Sequence, residues 1–570
     1  MPNCKPIENT LMSELKQEFD AALAQLIGPG APWEIATDAQ GLSYYANAPV
    51  NLREALYVAR DHGDREFLIY EGERRTFNQL LDEADALGAA LQGAGVGKGD
   101  RVALAMRNYP EWMSAFIAVT AIGAVVVPIN SWGSPADVHF AVTDAGAKLA
   151  ICDQQRADAA GTLLQDAGVQ VLIARPADAN DPAGLPSFVA AYAGKQPAHV
   201  DIDGDDLALI MYTSGTSGKP KGAASTHRAL CQAVYNIECF AIAAAMTNGD
   251  LITAMLERGH EPTSLLAVPL FHVSGCHAQF LVNLRGGRRI VMMYKWDVDR
   301  ALQYIEQERV TTLAAAPSMA LDLLEAEGFD TTDTSSLFSL GVGGAATPPR
   351  IRSLLNEKMP QNFSGTGYGM TETNAQGSSL TGRAFRDNPG TSGFPHPVME
   401  FRIRDEAGAD LPQGDAGEIW VRGVTVIKEY WNRPDANASD FEDGWMRTGD
   451  IGYFDEDGLI YLADRAKDMI IRGGENIYPI EIENELLEHP AVKEVAVVGL
   501  PHERWGERVV AVAHLHPKSA ASEQDLIDFA AARLAAFKAP SQVFISDQPL
   551  PRNAANKLLK REIKEGLPER

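Results

Sequence analysis

Short apolar segments alternate with amphipathic segments of helical length from about residue 65 to residue 180, and a second series of strands follows. Strands separated by helices of this size are typical of α/β units with mainly parallel sheets. Because the apolar segments are polar on neither face, we expect strands that are covered on both sides. The predicted strands are Phe67–Tyr70, Arg101–Met106, Ala124–Ile129, Lys148–Cys152, Val169–Ile173, Leu266–Pro269, Arg289–Met293, Thr312–Ala315 and Ser339–Gly343, and the predicted helices are residues 10–27, Phe77–Gly93 and Trp112–Ile122.

The pattern changes after about residue 390. Short strands joined by Gly- and Asp-containing turns, at Phe401–Asp405, Gly417–Val421 and Leu459–Leu462, predict a small β-barrel or meander. The charged segment Ala463–Lys467 then marks a domain boundary, and beyond it follow helices at Pro479–His489 and Gln524–Phe537 and strands at Glu494–Gly499 and Val509–Leu515. We therefore predict an α/β protein with a large N-terminal domain, residues 1–464, of α/β sheet subdomains plus a small β-barrel, and a small α+β C-terminal domain, residues 465–570.

Composition narrows the classes of function. The chain has 570 residues, too long for one core, and its 45% hydrophobic and 22% charged residues are ordinary for a globular enzyme. A net charge of −26 repels phosphate backbones, so we expect no nucleic-acid partner. Sites for anionic small molecules must then be local basic pockets in an acidic surface.

Cysteine usage and apolar runs bear on the compartment. Five cysteines without a C-x-x-C pair indicate neither a disulfide framework nor a zinc site, and fit a reducing cytoplasm. The N-terminus carries no apolar region of a secretory signal, and the apolar run Phe116–Ile129 is too short to span a bilayer. We expect a cytoplasmic protein with no integral membrane segment.

Residues 212–222 combine hydroxyls, three glycines and two lysines immediately behind the apolar run Leu207–Met211. Glycines let backbone N–H groups approach a ligand, and hydroxyls and lysines add donors and positive charge, which together suit a polyphosphate. The stretch does not match the Walker loop, because two residues separate Gly215 from Gly218 and Pro220 stands where Ser or Thr would bind magnesium. A Gly/Ser linker is the alternative, but linkers rarely carry two lysines directly after a buried strand. The candidate phosphate-binding residues are Thr213, Ser214, Gly215, Thr216, Ser217, Gly218, Lys219 and Lys221.

This loop resembles that of the adenylate-forming superfamily, which includes acyl-CoA synthetases, the adenylation domains of peptide synthetases and firefly luciferase. A second stretch, Gly367–Thr373, is similar to the superfamily's Y-G-x-T-E element. The resemblance implies that Tyr368 stacks on adenine and Thr371 contacts the α-phosphate. It also implies that Glu372, with Thr216, holds Mg²⁺, for which carboxylate oxygens are suitable ligands. The segment Gly343, Gly344 and Ala345 resembles the strand end beside adenine, where missing side chains let the nucleotide approach.

Two further elements resemble the ribose and CoA sites of the superfamily. Asp450 is similar to the aspartate that accepts hydrogen bonds from both ribose hydroxyls, a natural pairing for a vicinal diol. Arg465 is similar to the arginine that supports the ribose, although a surface ion pair is the plain alternative. The resemblance makes Lys467 the hinge between domains and assigns Arg472 and Gly474 to the loop that lines the CoA channel.

The segment Leu550–Lys557 resembles the family motif P-R-x-x-x-G-K, which ends in the catalytic lysine. The resemblance implies that Lys557 offsets the negative charge that grows around the α-phosphorus when a carboxylate attacks it. Asn556 stands where the family usually has glycine, and Asn tolerates positive φ better than other non-Gly residues. Lys557 therefore remains our choice, with Lys560 as a substitute.

The segment Pro269–Gly275 resembles the element that carries the gate of the acyl pocket, with His272 as the moving side chain. A histidine on an apolar segment is otherwise a satisfied core residue. Cys276 and His277 form a Cys–His pair on paper, but neighbours in sequence do not normally face each other.

Together these elements predict an ATP-dependent carboxylate–CoA ligase that forms an acyl-adenylate and releases AMP and pyrophosphate, with ATP, coenzyme A and Mg²⁺ as its small molecules. The family alternates its two half-reactions by rotating the C-terminal domain, so residues 1–464 are expected to form the ATP- and acyl-binding adenylation domain and residues 465–570 the mobile domain. Glycine and alanine are frequent in the candidate acyl-pocket walls, which are Tyr235–Phe240, Val268–Cys276, Gly343–Ala346 and Tyr368–Gly377. This suggests a roomy tunnel, and no charged residue is clearly placed to bind a second polar group on the substrate, which favours a medium- or long-chain fatty acid.

Several alternatives stay open. The first alternative is a CoA ligase whose acid is an aryl or cyclic carboxylate. The others are an adenylation enzyme that loads a carrier protein, a luciferase-like oxygenase, and a nucleotide-binding regulator without catalysis. A homodimer is compatible with the sequence.

Overall fold

A computed structural model describes residues 5–213, 220–344, 347–473, 475–517, 519–553 and 557–567, with side chains from residue 14 onward. Its α-helices are Lys5–Ile27, Leu52–Tyr57, Phe77–Gly93, Pro110–Ala121, Pro135–Asp144, Gln154–Asp166, Leu185–Val189, His227–Met246, Gly249–Glu257, Val273–Gly275, Val282–Arg285, Val298–Glu308, Pro317–Leu324, Pro349–Lys358, Arg383–Asp387, Pro434–Asp440, Pro479–Leu487, Glu523–Ala531 and Lys560–Glu565. Short 3₁₀ segments lie at Val58–His62, Ala190–Tyr192, Glu327–Asp330 and Thr371–Thr373, and a π-helical segment at Cys276–Leu281. Helices alternate with strands along most of the chain, which confirms the predicted α/β class.

One sheet of seven described strands contains the first predicted series. Its order is Glu429–Trp431, Lys221–Thr226, Leu207–Thr213, Val125–Pro128, Arg101–Ala105, Leu149–Cys152 and Gln170–Ile173. The pairings from Leu207–Thr213 to Gln170–Ile173 are parallel, and the two at the other edge are antiparallel. Val102 and Leu104 belong to one buried apolar cluster and Ala103 and Ala105 to another, so the sheet is covered on both faces as its continuous apolar strands predict.

The largest sheet joins parallel strands to antiparallel ones. Its order is Met399–Arg404, Gly417–Gly423, Trp445–Phe454, Ile460–Arg465, Thr391–Pro395, Gly377–Thr381, Gly365–Gly369, Ser339–Val342, Thr312–Ala315, Thr263–Leu266, Arg289–Met292, Glu66–Tyr70 and Glu73–Thr76, with Phe441–Glu442 beside Trp445–Phe454. Pairings from Gly365–Gly369 to Glu66–Tyr70 are parallel, and the others are antiparallel. The antiparallel strands expected after residue 390 thus continue the sheet that carries Tyr368. A separate two-stranded sheet pairs Ile35–Thr37 with Ser43–Tyr45.

One predicted strand is displaced. The prediction of a strand at Leu266–Pro269 is wrong, because the strand covers Thr263–Leu266 and the chain leaves the sheet at Leu266. Thr263 is buried with its polar groups satisfied, since its hydroxyl donates to the carbonyl of Glu261 and its N–H donates to Thr311 Oγ1, both at 2.9 Å. The amide N–H of Leu270 instead donates to Asn108 Oδ1 at 2.9 Å, which turns the following segment toward the site described below.

The C-terminal part forms a smaller domain around its own apolar core. Its described strands are Glu475–Ile477, Ile470–Arg472, Gly506–Leu515 and Val492–His502 in sheet order, with Gln542–Ser546 parallel to Gly506–Leu515. The helix predicted to reach Phe537 ends at Ala531, because Leu534 turns back onto the core while Phe537 stays exposed. The position of the domain boundary between residues 464 and 465 stays a prediction.

The N-terminal helix packs on the large domain through aromatic contacts. The Phe19 ring lies 4.8 Å from Phe240 and 5.3 Å from Phe394, between ring centroids. Phe240 belongs to the helix His227–Met246, which is long and apolar enough to cross a membrane by length and composition. In its most apolar window 61% of the residues are buried inside the protein, which is also the property of a core helix.

Candidate functional site

One cavity of about 1620 Å³ lies where the two domains meet. Its lining contains these predicted site residues: Thr213, Lys221, His272, Gly343, Gly344, Tyr368, Thr371, Glu372, Arg465 and Lys557. A second cavity, of about 820 Å³, shares Tyr368, Arg465 and Lys557 with the first and also contains Asp450. Residues that are up to several hundred positions apart in sequence therefore line two adjoining cavities.

Asp450 lies between Tyr368 and Arg465. The Tyr368 hydroxyl donates to Asp450 Oδ2 at 2.8 Å, and Arg465 Nε lies 3.1 Å from Asp450 Oδ1. Antiparallel pairing places Asp450 directly opposite Arg465 on the neighbouring strand. Burial, and next the Asp450 charge, raises the pKa of Tyr368 well above its ordinary value, so the hydroxyl remains a donor. The carboxylate is thereby fixed, with the guanidinium beside it to offset its charge.

Glu372 lies in a 3₁₀ turn between two antiparallel strands of the largest sheet. The Tyr430 hydroxyl donates to Glu372 Oε1 at 3.0 Å. Burial raises the pKa of Glu372. Hydrogen bonds to the carboxylate, including the one from Tyr430, oppose this shift. A buried carboxylate with a neutral partner is well suited to a hard cation that would offset its charge. The role of Tyr430 is not evident from the sequence, because it lies 58 positions from Glu372.

Lys221 has a carboxylate partner where we predicted a phosphate contact. Lys221 Nζ lies 2.8 Å from Asp440 Oδ2 and 4.5 Å from the centroid of the Tyr430 ring. Lys221 begins a strand in which it pairs with Thr213, and Asp440 ends a helix 219 positions further along the chain. The ammonium thus fixes the strand end beside the tyrosine that contacts Glu372.

His272 faces the cavity, whereas Cys276 does not. His272 Nε2 is buried and has no hydrogen-bond partner among the described residues. Burial, and next the charge of Lys557, lowers the pKa of His272 to about 4, so its ring is neutral near pH 7. Cys276 is fully buried, and burial raises the pKa of its thiol well above the ordinary value. His277 Nε2 lies 3.1 Å from Asn374 Oδ1, so these neighbours do not form a nucleophilic pair at the cavity.

Two hydrogen bonds to Asn553 position Lys557. Lys557 N–H donates to Asn553 Oδ1 at 3.0 Å, and Asn553 N–H donates to Lys557 O at 2.8 Å. Burial, and next the charge of Arg465, lowers the pKa of Lys557 to about 8. The substitute that we considered, Lys560, pairs with Glu483 at 2.8 Å and does not line the larger cavity.

Arg472 lies outside both cavities. Its Nη1 donates to the carbonyl of Phe537 at 2.5 Å, on a face where Ile471, Trp505 and Phe537 are 52%, 40% and 38% exposed. Gly473 has φ +63° and donates its N–H to Trp505 O at 2.7 Å, and a Cβ there would come within 2.9 Å of the indole. The predicted channel loop therefore adjoins an exposed aromatic surface, and Trp505 and Phe537 are residues that sequence analysis missed.

Several predicted site residues lie outside the described residues. These are Ser214, Gly215, Thr216, Ser217, Gly218, Lys219, Ala345 and Gly474, together with Asn556. Gly344, which precedes one of them, has φ +81°, and a Cβ there would meet no atom within 4 Å. Backbone conformation therefore requires glycine at this position, and open space lies beside it.

The remaining part of the large cavity is mostly apolar. Its walls include Ile237, Phe240, Ala267, Ala314, Met319 and Phe363, partly from the predicted wall segments. The strand Gly377–Thr381 adds three hydroxyl residues, Ser378, Ser379 and Thr381, and the loop after Pro395 adds His396. Sequence analysis missed these polar residues, because the pairing of strands and not sequence spacing brings them to the cavity.

Comparisons with known proteins agree over nearly the whole chain. The family model described as AMP-binding enzyme matches residues 57–431, and the model described as AMP-binding enzyme C-terminal domain matches residues 481–557. A feruloyl-CoA synthase from an Amycolatopsis species is 34% identical over 499 residues, which cover 86% of this chain and 94% of that protein. A long-chain-fatty-acid–CoA ligase from Mycobacterium tuberculosis is 33% identical over 502 residues, covering 86% and 93%.

A solved structure resembles the fold at similar identity. It is the o-succinylbenzoate CoA synthetase of Bacillus subtilis in complex with its acyl-adenylate intermediate, with a TM-score of 0.74 and 30% identity. The match covers 90% of this chain and 98% of that one. The large N-terminal and small C-terminal domains are thus shared with enzymes that form adenylates.

Proposed function

The chain belongs to the AMP-binding enzyme family, and we propose that it joins a carboxylic acid to coenzyme A through an acyl-adenylate. It is an AMP-forming acyl-CoA ligase, an acid–thiol ligase like the relatives named above. The observation that carries the proposal for this chain's own residues is the shared cavity: Tyr368, Arg465, Glu372, His272 and Lys557 all line it.

We assign the first half-reaction to the cavity in the domain arrangement that this structure shows. Asp450 accepts hydrogen bonds from the ribose hydroxyls, while Tyr368 stacks on adenine and its hydroxyl holds the Asp450 carboxylate in place. A carboxylate oxygen of the acid attacks the α-phosphorus of ATP, the bond to the β-phosphate oxygen breaks, and pyrophosphate leaves. Lys557, protonated near neutral pH, offsets the negative charge that grows on the α-phosphate oxygens.

Glu372 is proposed as the protein ligand of Mg²⁺. Its buried carboxylate uses Oε1 to accept the hydrogen bond of Tyr430, which leaves coordination capacity on a hard oxygen donor. Among the described residues no group of three His, Cys, Asp or Glu side chains is placed to hold a metal alone. The donor set therefore fits an ion that is bound mainly through substrate phosphates, as Mg²⁺ commonly is. When bound, Mg²⁺ would neutralise charge on those phosphates.

His272 is proposed to border the acyl entrance. Its neutral ring adds no second positive charge beside Lys557, because burial and Lys557 lower its pKa to about 4. Its buried Nε2 has no recorded partner in the described part of the chain, so the ring is available to the carboxylate end of a bound acid.

The second half-reaction needs a different arrangement of the C-terminal domain, because Lys557 occupies the cavity in this one. We assign the CoA thiol attack on the acyl-adenylate carbonyl to a rotated state in which the loop at Arg472–Gly474 faces the site. The exposed Trp505 and Phe537 beside Arg472 support this assignment, since aromatic rings and a guanidinium suit a nucleotide. The thiol proton passes to the solvent, and AMP is the leaving group.

The acid itself is the finer question. Sequence analysis favoured a medium- or long-chain fatty acid, with an aryl or cyclic acid as the alternative, and the named relatives include both kinds. Polar groups at the acyl end of this cavity, Ser379, Thr381 and His396, favour the aryl or cyclic alternative. A pure alkyl chain would offer no partner to the Ser379 and Thr381 hydroxyls, at a cost in binding.

The decisive experiment uses the whole protein with ATP, Mg²⁺, coenzyme A and a panel of fatty, aryl and cyclic acids. We expect AMP and a thioester in equal amounts, and ATP–pyrophosphate exchange that depends on the acid and not on coenzyme A. Release of ADP and orthophosphate would refute the proposal. AMP formation without a thioester, relieved by a phosphopantetheinyl carrier protein, would instead favour the carrier-loading alternative.

A further inference from the structure

A hydrogen-bonded polar pair lies at the mostly apolar acyl end of the cavity. Ser379 and His396 both line it, and His396 Nε2 lies 3.0 Å from Ser379 Oγ. The His396 ring also lies 4.7 Å from the Phe240 ring, between centroids, so the imidazole is enclosed on its other side by an apolar wall. Neither residue has a part in the adenylation chemistry described above.

The hydrogen bonds of His396 determine which nitrogen carries its proton. Gly377 N–H points to His396 Nδ1 at 3.2 Å, and a backbone amide can only donate, so Nδ1 must hold a lone pair. The ring is neutral, since burial lowers the pKa of His396 to about 3. In the neutral ring the proton is then on Nε2, which donates to Ser379 Oγ.

This assignment leaves the Ser379 hydroxyl proton directed elsewhere. Ser379 Oγ accepts from His396, so its own O–H needs a different acceptor, and none of the described residues supplies one. Ser379 pairs in the sheet with Gly367, next to Tyr368, and therefore lies along the cavity wall beyond the predicted adenine site. Thr381, two residues further on the same face of the strand, lines the same wall above Gly365.

We propose that Ser379 is a specificity-determining residue that donates a hydrogen bond to an oxygen on the acyl group, with His396 as the positioning residue that turns its hydroxyl toward the cavity. The inference rests on the proposed function, and it names the substrate class: an acid whose acyl part bears an acceptor oxygen, such as a methoxy, hydroxy or keto group on an aryl acid. An unsubstituted alkyl acid would bury the Ser379 donor without a partner, which disfavours it roughly tenfold to a hundredfold.

The test compares acids of matched shape. Arylpropenoates with a methoxy group at ring position 3 or 4 are compared with their ethyl counterparts, which lack only the acceptor oxygen, and decanoate represents the alkyl acids. The measured quantity is kcat/KM for acid-dependent pyrophosphate release. We expect at least one methoxy acid to exceed its ethyl counterpart and decanoate by about tenfold or more, and Ser379→Ala to bring that ratio close to one.

Ser378→Ala is the matched control. Ser378 belongs to the same strand and also borders the cavity, but its hydroxyl already donates to the carbonyl of Ser392 at 2.9 Å and is not free for a substrate oxygen, so the methoxy-to-ethyl ratio should be unchanged. A ratio near one in the unaltered protein, a ratio that survives Ser379→Ala, or a preference for decanoate would overturn the inference while leaving the ligase activity standing. No pyrophosphate release with any acid would overturn the proposed function as well.

A second measurement determines the protonation of His396 in the unaltered protein. In protein labelled with ¹⁵N-histidine, the resonances that disappear in His396→Gln should be those of a neutral ring protonated at Nε2. A ring protonated at Nδ1, or a doubly protonated ring at pH 7, would contradict the assignment from which the Ser379 donor follows.

Discussion

The Lys560 ammonium and the Glu483 carboxylate form a salt bridge of 2.8 Å in which the side chains are only 17% and 12% exposed. Glu483 also accepts the amide N–H of Val497 at 2.7 Å, so the pair ties the last helix to the core of the C-terminal domain. Lys557, three residues earlier, instead lines the large cavity. Two nearby lysines thus have separable roles, one in the stability of the domain and one at the reaction centre.

Lys557→Ala should remove adenylation without unfolding the protein. We expect a loss of about two to three orders of magnitude in ATP–pyrophosphate exchange, typical for removal of one group that stabilises transition-state charge. The thioester step from supplied acyl-adenylate should be largely retained, and the melting temperature unchanged. Equal loss of both half-reactions would contradict the assignment of Lys557 to the first step.

Lys560→Ala should destabilise the C-terminal domain without removing adenylation. Removing one partner of a buried pair leaves the Glu483 carboxylate uncompensated, at a cost of roughly 3–5 kcal/mol. The melting temperature of the C-terminal domain should fall, while the residual folded protein keeps its exchange activity at low temperature. An unchanged melting temperature together with lost exchange would show that Lys560, and not Lys557, is the reacting lysine.

The rate of adenylation should fall as the pH rises through about 8. The pKa of Lys557 is lowered to about 8, so the ammonium is present below that pH and lost above it. Because only the charged form offsets growing phosphate charge, the exchange rate should follow its titration. Lys557→Arg should retain part of the activity and remove this alkaline limb, since arginine stays protonated. A limb at the same pH in Lys557→Arg would assign it to another group.

Helices and strands could be predicted from the sequence where the hydrophobic periodicity was strong. They were less predictable where tertiary contacts set the ends of an element. The helix Phe77–Gly93 is predicted at both ends, since Thr76 and Gln79 form a capping box before a continuous apolar face. The strand Thr263–Leu266 was misplaced, because the backbone N–H and carbonyl of its buried Thr263 bond to the Thr311 hydroxyl, 48 positions further along the chain, which the local pattern does not reveal. Residue propensity and hydrophobic periodicity predict local structure, but contacts with residues far along the chain decide where an element begins and ends.

The candidate site divides in the same way. Tyr368, Glu372 and Lys557 were found because each stands in a short motif with its own chemistry. Tyr430, Asp440 and His396 stand in no such motif, and contacts between distant segments bring them to the cavity. Their contacts join positions that are 58 and 219 residues apart for Tyr430–Glu372 and Lys221–Asp440, so no local window could include both partners.

Tyr430→Phe should move the acid limb of activity to higher pH. Burial already raises the pKa of Glu372, and the Tyr430 hydroxyl opposes that shift by donating to the carboxylate. Removing the donor should raise the pKa further, so that the carboxylate is protonated at a higher pH and more Mg²⁺ is needed for half-maximal exchange. Tyr453→Phe is the matched control, since Tyr453 stacks on Tyr461 away from Glu372. An acid limb at the same pH in Tyr430→Phe would show that Glu372 does not govern it.

Phe19→Ala should loosen a wall of the acyl pocket, although Phe19 itself does not line the cavity. The Phe19 ring contacts Phe240 and Phe394 at 4.8 and 5.3 Å, and Phe240 is a wall of the cavity against which His396 packs. Truncation of a buried phenylalanine costs roughly 3–5 kcal/mol, so the melting temperature should fall by several degrees. Because the wall loosens on the acyl side, KM should rise for the acid and stay constant for ATP. The exposed neighbour Glu18, changed to Ala, should alter neither quantity. If KM for ATP rises equally, the helix supports the whole domain and not this pocket wall.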